Sequence, residues 1–212
     1  MQLRNKRVLI TAGSTWVPID RVRVISNIAT GLTGTLLARS LQKKGAQVTL
    51  CLGNPALYPP IKGIRMRRFK FFDELKKILS RELTQRRYDI VIHSAAVSDF
   101  CPQQALRGKL DSGRGALLRL KPLPKLIKRI RALAPSSRLV MFKLEPAVKD
   151  SVLIARAIHA LRAVHADIAV ACSLDPYKAI ILNGSKKRVV VKSKRELVNR
   201  LIPLLEKAKV KA

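Results

Sequence analysis

The residues best equipped for chemistry come early in the chain. Ile10-Thr11-Ala12-Gly13-Ser14-Thr15-Trp16-Val17-Pro18-Ile19-Asp20 runs on to Arg23-Val24-Ile25-Ser26-Asn27 and then to Ala29-Thr30-Gly31-Leu32-Thr33-Gly34. The segment reads as a buried strand, a small polar loop, an arginine and an asparagine, and a glycine-opened helix. That order builds an anion site at the carboxyl end of a parallel strand, where open α/β sheets take their ligands. Arg23 can pair with a carboxylate or phosphate through two parallel N–H bonds. Asn27 offers an uncharged amide that binds a carbonyl without acting as a nucleophile, although asparagine also favours helix N-caps. Free N–H groups around Gly31 and Gly34 suit a phosphate, and the same glycines would equally permit close helix packing.

A second set lies downstream. Asp99 sits in the loop after the strand ending at His93, at the same kind of sheet edge. Lys109 stands in Arg107-Gly108-Lys109-Leu110-Asp111-Ser112-Gly113, a glycine-rich and polar stretch. Ala95 and Ala96 would let a ligand approach the backbone, and Phe142 could pack on a base or fill core. Other nucleotide sites are excluded. The dinucleotide fingerprint needs G-x-G-x-x-G at the first turn, where this chain has only Gly13. Tyr58 and Lys62 match the spacing of a dehydrogenase Tyr-x-x-x-Lys, but Pro59 and Pro60 would break that helix. No glycine-rich loop ends in Gly-Lys-Ser or Gly-Lys-Thr, so there is no P-loop. Cys51, Cys101 and Cys172 are spaced like neither a disulfide framework nor a zinc site; Cys101, beside Asp99 and Phe100, is expected to be the reactive thiol. His93 is expected to be a structural strand-end residue, and His159 and His165 solvated helix residues. No side-chain metal site is expected.

Lys and Arg number 43 against 13 Asp and Glu, a formal charge of +30 that attracts polyanions. Aromatic residues are only 4%, so no stacking surface accompanies the charge; nucleic acid is a partner that charge alone allows. No apolar run reaches the roughly 18 residues of a membrane-spanning helix. No secretory leader pattern precedes the first strand, so a cytoplasmic location with reduced thiols is expected. With 48% apolar residues, the 212 residues should form one domain, 1–212, with its own core.

Alternating strand and helix signals position these residues. Strands are predicted at 7–11, 47–52, 64–70, 89–93, 116–120, 138–142, 167–171, 179–182 and 188–191. Helices are predicted at 32–44, with Gly45 as its stop, then at 72–86, 124–132 and 149–164. A last helix opens on Ser193-Lys194-Arg195-Glu196, a capping box. Residues 55–61 and 94–102 read as connections. The pattern implies an α/β, Rossmann-like three-layer sandwich with a mostly parallel central sheet and a small C-terminal strand addition.

Placed on these elements, the motifs resemble one family, the phosphopantothenate–cysteine ligases. The opening segment is similar to their T-x-G-G-T-x-x-P-I-D-x-V-R-x-I-S-N-x-S-S-G. His93-Ser94-Ala95-Ala96-Val97-Ser98-Asp99-Phe100 resembles A-A-V-A-D-Y, and Gly108-Lys109-Leu110 resembles G-K-I. Leu120-Lys121-Pro122-Leu123-Pro124-Lys125-Leu126-Ile127 is similar to the L-K-x-T-P-K-I-I of stand-alone members. Phe142-Lys143-Leu144-Glu145 resembles G-F-K-L-E, Ala166-Asp167-Ile168-Ala169-Val170-Ala171 resembles A-D-x-I-V-A, and the last helix S-K-x-E. Departures are Ser14 for a glycine, Trp16 and Val17 for a more polar pair, Asp111-Ser112 for a lysine pair, and Cys172 for asparagine. Ala160 and Val164 fall about where fused bacterial enzymes have nucleotide-contacting lysines.

The resemblance implies amide formation between 4′-phosphopantothenate and cysteine in coenzyme A biosynthesis. The carboxylate attacks the α-phosphate of CTP or ATP, releasing pyrophosphate, and the cysteine amine then attacks the acyl-nucleotide. Mg2+ carried by the nucleotide, a homodimer and a separate decarboxylase partner are also implied, the flavin decarboxylase domain not being expected on this chain. Asn27, Lys109 and Arg23 would be catalytic, with Asn27 holding the acyl intermediate. Ser94, Ala95, Ala96, Asp99, Lys109, Pro124, Lys125 and Phe142 would bind nucleotide, and Gly13, Asn27, Ala29, Thr30 and Gly31 phosphopantothenate. The alternative, from another class, is a catalytically altered basic relative that binds nucleic acid.

Overall fold

The computed structural model describes residues 3–53, 59–104, 108–111, 113, 115–146, 148–174, 176–183 and 188–207; Tyr58, Arg107, Ser112 and part of the 55–61 connection lie outside them. In chain order the elements are β1 (Arg7–Ala12), β2 (Trp16–Pro18), β3 (Val24–Ser26), α1 (Leu32–Lys43), β4 (Gln47–Gly53), β5 (Arg65–Phe69) and α2 (Phe72–Gln85). There follow β6 (Ile90–His93), β7 (Phe100–Pro102), β8 (Leu120–Pro122), α3 (Leu126–Leu133), β9 (Arg138–Leu144) and α4 (Asp150–Ala163). The chain closes with β10 (Ile168–Ser173), β11 (Lys178–Asn183), β12 (Arg188–Val191) and α5 (Lys194–Lys207).

One sheet runs in the order β12-β11-β10-β9-β6-β1-β4-β5, parallel from β10 to β5, with β11 and β12 added antiparallel. The helices α1 and α5 cover one face over Ile10, Leu37, Leu50, Ile92, Val170 and Leu201. The other face is covered by α2, α3 and α4 over Leu9, Leu75, Leu79, Val91, Ile130 and Leu153. This is the expected three-layer sandwich. Cover on both faces explains why β1, β4, β6 and β10 are buried almost throughout and largely apolar, with Thr11 and Thr49 the interior exceptions. From β1 the chain crosses to β4 on one side and later returns to β6 on the other. The crevice between β1 and β6 is therefore the switch point where such sheets bind ligands.

Local chemistry sets several boundaries. Gly45, at φ +83°, turns the chain after α1. At α5 the Glu196 N–H donates to Ser193 Oγ at 3.1 Å, while the Glu196 carboxylate accepts from the Lys192 N–H. Glu82 of α2 is buried and joins helix to sheet: its carboxylate accepts from Arg65 and Arg67 of β5 at 3.0 and 2.8 Å and from the Tyr88 hydroxyl at 2.7 Å. Burial alone would raise the pKa of Glu82, but these bonds and charges hold it below the usual value.

Some expectations are corrected. Residues 116–120 are not a strand: only Leu120 enters one, β8, and Leu117 is 84% exposed. Apolar composition without a surface to cover it does not make a strand. The 94–102 connection contains β7, which pairs with β8, and the opening segment contains the hairpin β2–β3. Residue His165 lies beyond the end of α4, at φ +50°.

Candidate active site

The two loops leaving β1 and β6 are laced together over the switch point. Ser94 donates through its N–H and its Oγ to the Thr11 carbonyl, at 3.1 and 2.7 Å. The Ala96 N–H donates to the Gly13 carbonyl at 2.8 Å, and the Ser98 N–H to Thr15 Oγ1 at 2.9 Å. Gly13 must be glycine: its φ is +80°, and a Cβ there would lie 2.6 Å from the Gly53 carbonyl oxygen. The lacing fixes the backbone of 94–98, and with it any ligand resting on Ala95 and Ala96.

Gly31, at φ +79°, caps α1 and stands against Gly13, so the helix N-terminus is aimed at this crevice. The first N–H groups of a helix lack intrahelical acceptors and attract anions. Gly34, by contrast, packs on the strand: a Cβ there would fall 2.4 Å from Ala12 Cβ. Gly34 is thus explained by packing, whereas Gly31 lies at the open end of the helix. Asn27 is not the N-cap. Its Nδ2 donates to the carbonyls of Ala96 and Val97, both at 3.2 Å, which leaves its Oδ1 facing no hydrogen-bond donor among the described residues.

Arg23 is placed differently from a ligand arginine. Its Nη1 donates to Asp20 Oδ2 at 2.7 Å, and Nη1 and Nη2 reach the Leu110 carbonyl at 3.2 and 3.3 Å. Asp20, buried in the β2–β3 turn, accepts from the N–H groups of Leu110, Val22 and Arg23; these bonds and the Arg23 charge outweigh its burial and bring its pKa to about 2. The residue stands in the quoted motif, yet sequence reasoning gave it no role. An aspartate that accepts turn N–H groups is a recognisable local signal, but its contact with Leu110 is not. Lys109, next to Leu110, is exposed and makes no hydrogen bond or ion pair among the described residues.

Beyond the crevice, Asp99 pairs with Lys125 at 2.6 Å, and the Asp99 carbonyl accepts from the Leu123 N–H, so Asp99, Pro124 and Lys125 form one cluster. Phe142 is half-buried in β9 against the α1–α5 core. Beside the end of β9, a cavity of about 330 Å³ is lined by Lys143, Glu145, Ala155, Arg156, His159 and Ala160. Glu145 pairs there with Lys143 and Arg156, which hold its pKa low, a pairing the sequence reading missed. Val164 is buried and cannot face a ligand. His93 Nδ1 lies 2.8 Å from Thr11 Oγ1, and burial lowers its pKa to about 4, which keeps the ring neutral near pH 7. The Cys51 and Cys172 thiols are pushed up to about 12 by burial, whereas Cys101 is half-exposed. Among the described residues no three His, Cys, Asp or Glu side chains converge on a metal position, and no helix is long and apolar enough to cross a membrane.

Gly13, Asn27, Gly31, Ser94, Ala95 and Ala96 therefore share the β1–β6 crevice, and Ala29 and Thr30 lie on the connection into α1. The Asp99 cluster and Lys109 stand outside this group, on the Asp99–Lys125 pair and beside Leu110 respectively. Known proteins resemble the chain in sequence and in fold. The chain is 33% identical over 211 residues to the coenzyme A biosynthesis bifunctional protein CoaBC of Thermococcus kodakarensis, covering 97% of this chain and 52% of that protein. The corresponding protein of Methanocaldococcus jannaschii is 31% identical over 218 residues, covering 98% and 52%. The chain thus spans about half the length of these curated relatives. Among solved structures, the DNA/pantothenate metabolism flavoprotein from Streptococcus pneumoniae superposes with a TM-score of 0.84 at 26% identity, covering 95% of this chain and 98% of that one. A Cab2 complex with phosphopantothenate-cysteine shares the fold, at a TM-score of 0.78 and 20% identity. The model of the DNA/pantothenate metabolism flavoprotein C-terminal domain matches residues 3–212, and the chain belongs to that family.

Proposed function

We propose that the chain joins 4′-phosphopantothenate to cysteine through an acyl-nucleotide, with CTP or ATP as co-substrate. The observation that carries this reading is Asn27. Its amide N–H groups are committed to the 94–98 loop, so its carbonyl is presented at the switch point between the α1 N-terminus and that loop. An amide oxygen so fixed accepts and does not donate, so it can orient the acyl intermediate through a hydroxyl or amide N–H of its pantothenoyl part, without attacking it. The phosphate of phosphopantothenate would meet the N–H groups at Gly31, beside Gly13. The triphosphate would lie along Ala95 and Ala96 towards Asp99 and Lys125, with Lys109 offsetting the charge that develops as pyrophosphate leaves. Mg2+ would arrive on the triphosphate and neutralise part of that charge.

Pyrophosphate release tests the reading. The protein mixed with Mg2+, phosphopantothenate, cysteine and either CTP or ATP should release pyrophosphate, and omitting phosphopantothenate should stop it. Silence with both nucleotides, together with salt-sensitive RNA binding, would favour the basic nucleic-acid-binding relative instead. A homodimer belongs to the same proposal. Val22 and Ile28 in the hairpin segment and Phe100 and Leu120 on the β7–β8 ribbon are exposed apolar side chains, and hairpin and ribbon pack on each other. Light scattering should give twice the 23.6 kDa chain mass, and a monomer at assay concentration removes this part.

A further inference from the structure

Asp20 and Arg23 do more than close their own hairpin. The turn needs only one carboxylate oxygen, Oδ1, which accepts from the N–H groups of Val22 at 2.8 Å and Arg23 at 2.7 Å. The second oxygen, Oδ2, accepts from Arg23 Nη1 at 2.7 Å and from the Leu110 N–H at 3.0 Å. A carboxylate offers about four acceptor positions, and here all four are filled although the side chain is closed to solvent. Arg23 completes the contact by donating to the Leu110 carbonyl. Both backbone polar groups of Leu110 are thus held by two residues far away in sequence.

We propose that the Asp20–Arg23 pair is the positioning device for Lys109: by gripping Leu110 on both backbone sides, it fixes where the neighbouring lysine stands. The inference rests on the ligase reading of Lys109 given above. A lysine has a flexible four-carbon stem and brings its charge to one place only if its backbone is anchored. Nothing anchors Lys109 through its own side chain among the described residues, and the residue after it is held at both polar groups. Arg23 accordingly acts through Lys109 and is a positioning residue.

The test has two readouts, one independent of activity. In the protein alone, Asp20→Asn should accelerate hydrogen exchange at the Leu110 amide, with the β1 amides unchanged. In the assay the same variant should lower kcat for pyrophosphate release about 100-fold, the usual cost of misplacing a catalytic group by about 1 Å. KM for phosphopantothenate should stay within about twofold, since that substrate binds elsewhere in the crevice. If Asp20→Asn fails to fold, Arg23→Gln carries the kinetic arm, because it removes the grip on the Leu110 carbonyl and keeps the bonds of Asp20 to the turn and to the Leu110 N–H. There kcat should fall with KM for phosphopantothenate unchanged, and full kcat overturns the role. In Asp20→Asn, unchanged exchange at Leu110, or faster exchange with full kcat, overturns the positioning role. A wild-type protein that releases no pyrophosphate, while Leu110 protection still depends on Asp20, leaves the grip standing and sinks the ligase reading.

Discussion

Lys109→Ala should lower kcat for pyrophosphate release by about 10²–10³-fold, the cost of removing one group aimed at developing transition-state charge. Stability should move by no more than about 0.5 kcal/mol, as for other surface substitutions away from packed features. The reasons lie in the geometry. Lys109 is exposed and makes no hydrogen bond or ion pair among the described residues, so folding draws little from its side chain. Its backbone is nonetheless held through Leu110 by Asp20 and Arg23, as a group required at one place would be. Single-turnover measurements sharpen the expectation. Asn27→Ala should still release pyrophosphate once yet form little amide product, because Asn27 is assigned to the acyl intermediate and Lys109 to its formation. Near-normal turnover by Lys109→Ala would end its catalytic assignment.

The largest effect on stability should come from Glu82→Ala, about 1–3 kcal/mol, the cost of leaving buried hydrogen-bonding partners unsatisfied. The substitution takes the carboxylate from the buried Tyr88 hydroxyl and from Arg65 and Arg67, whose side chains are about a third exposed and can turn to water. For a chain of this size the melting temperature should fall by roughly 2–12 °C. Urea unfolding measures it directly, and a shift below about 1 kcal/mol would mean that the arginines and Tyr88 find water without cost. The acid dependence has a fixed sign. Because the folded pKa of Glu82 lies below its ordinary 4.5, its contribution is present above that value and is lost as pH falls through the folded one. Glu82→Gln should therefore flatten the acid limb of stability. Turnover measured below the melting transition should survive, since Glu82 sits at the far end of α2 from the ligand crevice.

The layers and the parallel order were legible because buried strands and amphipathic helices leave periodic apolar patterns. What escaped was local or distant. The hairpin strands Trp16–Pro18 and Val24–Ser26 are too short for a period to register, and Pro18 argues against a strand at all. Residues 116–120 misled in the other direction, since a run of leucines reads as core whether or not anything covers it. At the site, motif order singled out Asn27, Lys109 and Arg23. It carried no sign of what holds the Arg23 guanidinium, because one of its partners, Leu110, stands 87 positions away. Asp20 stayed silent for the same reason. Chain proximity of that kind is created by folding and leaves no spacing signature.

The position of β5 has a consequence for self-assembly. It ends the sheet, so one row of its backbone donors and acceptors faces outward, the usual template on which a second chain extends a sheet. This strand carries Arg65, Arg67 and Arg68, and Lys70 follows. Glu82 offsets only part of that charge. A second copy approaching edge to edge would bring the same arginines against these, on a chain whose formal charge is already +30. Ribbon-like polymerisation through β5 is thus electrostatically opposed, which leaves the hairpin-and-ribbon side as the face for the proposed homodimer.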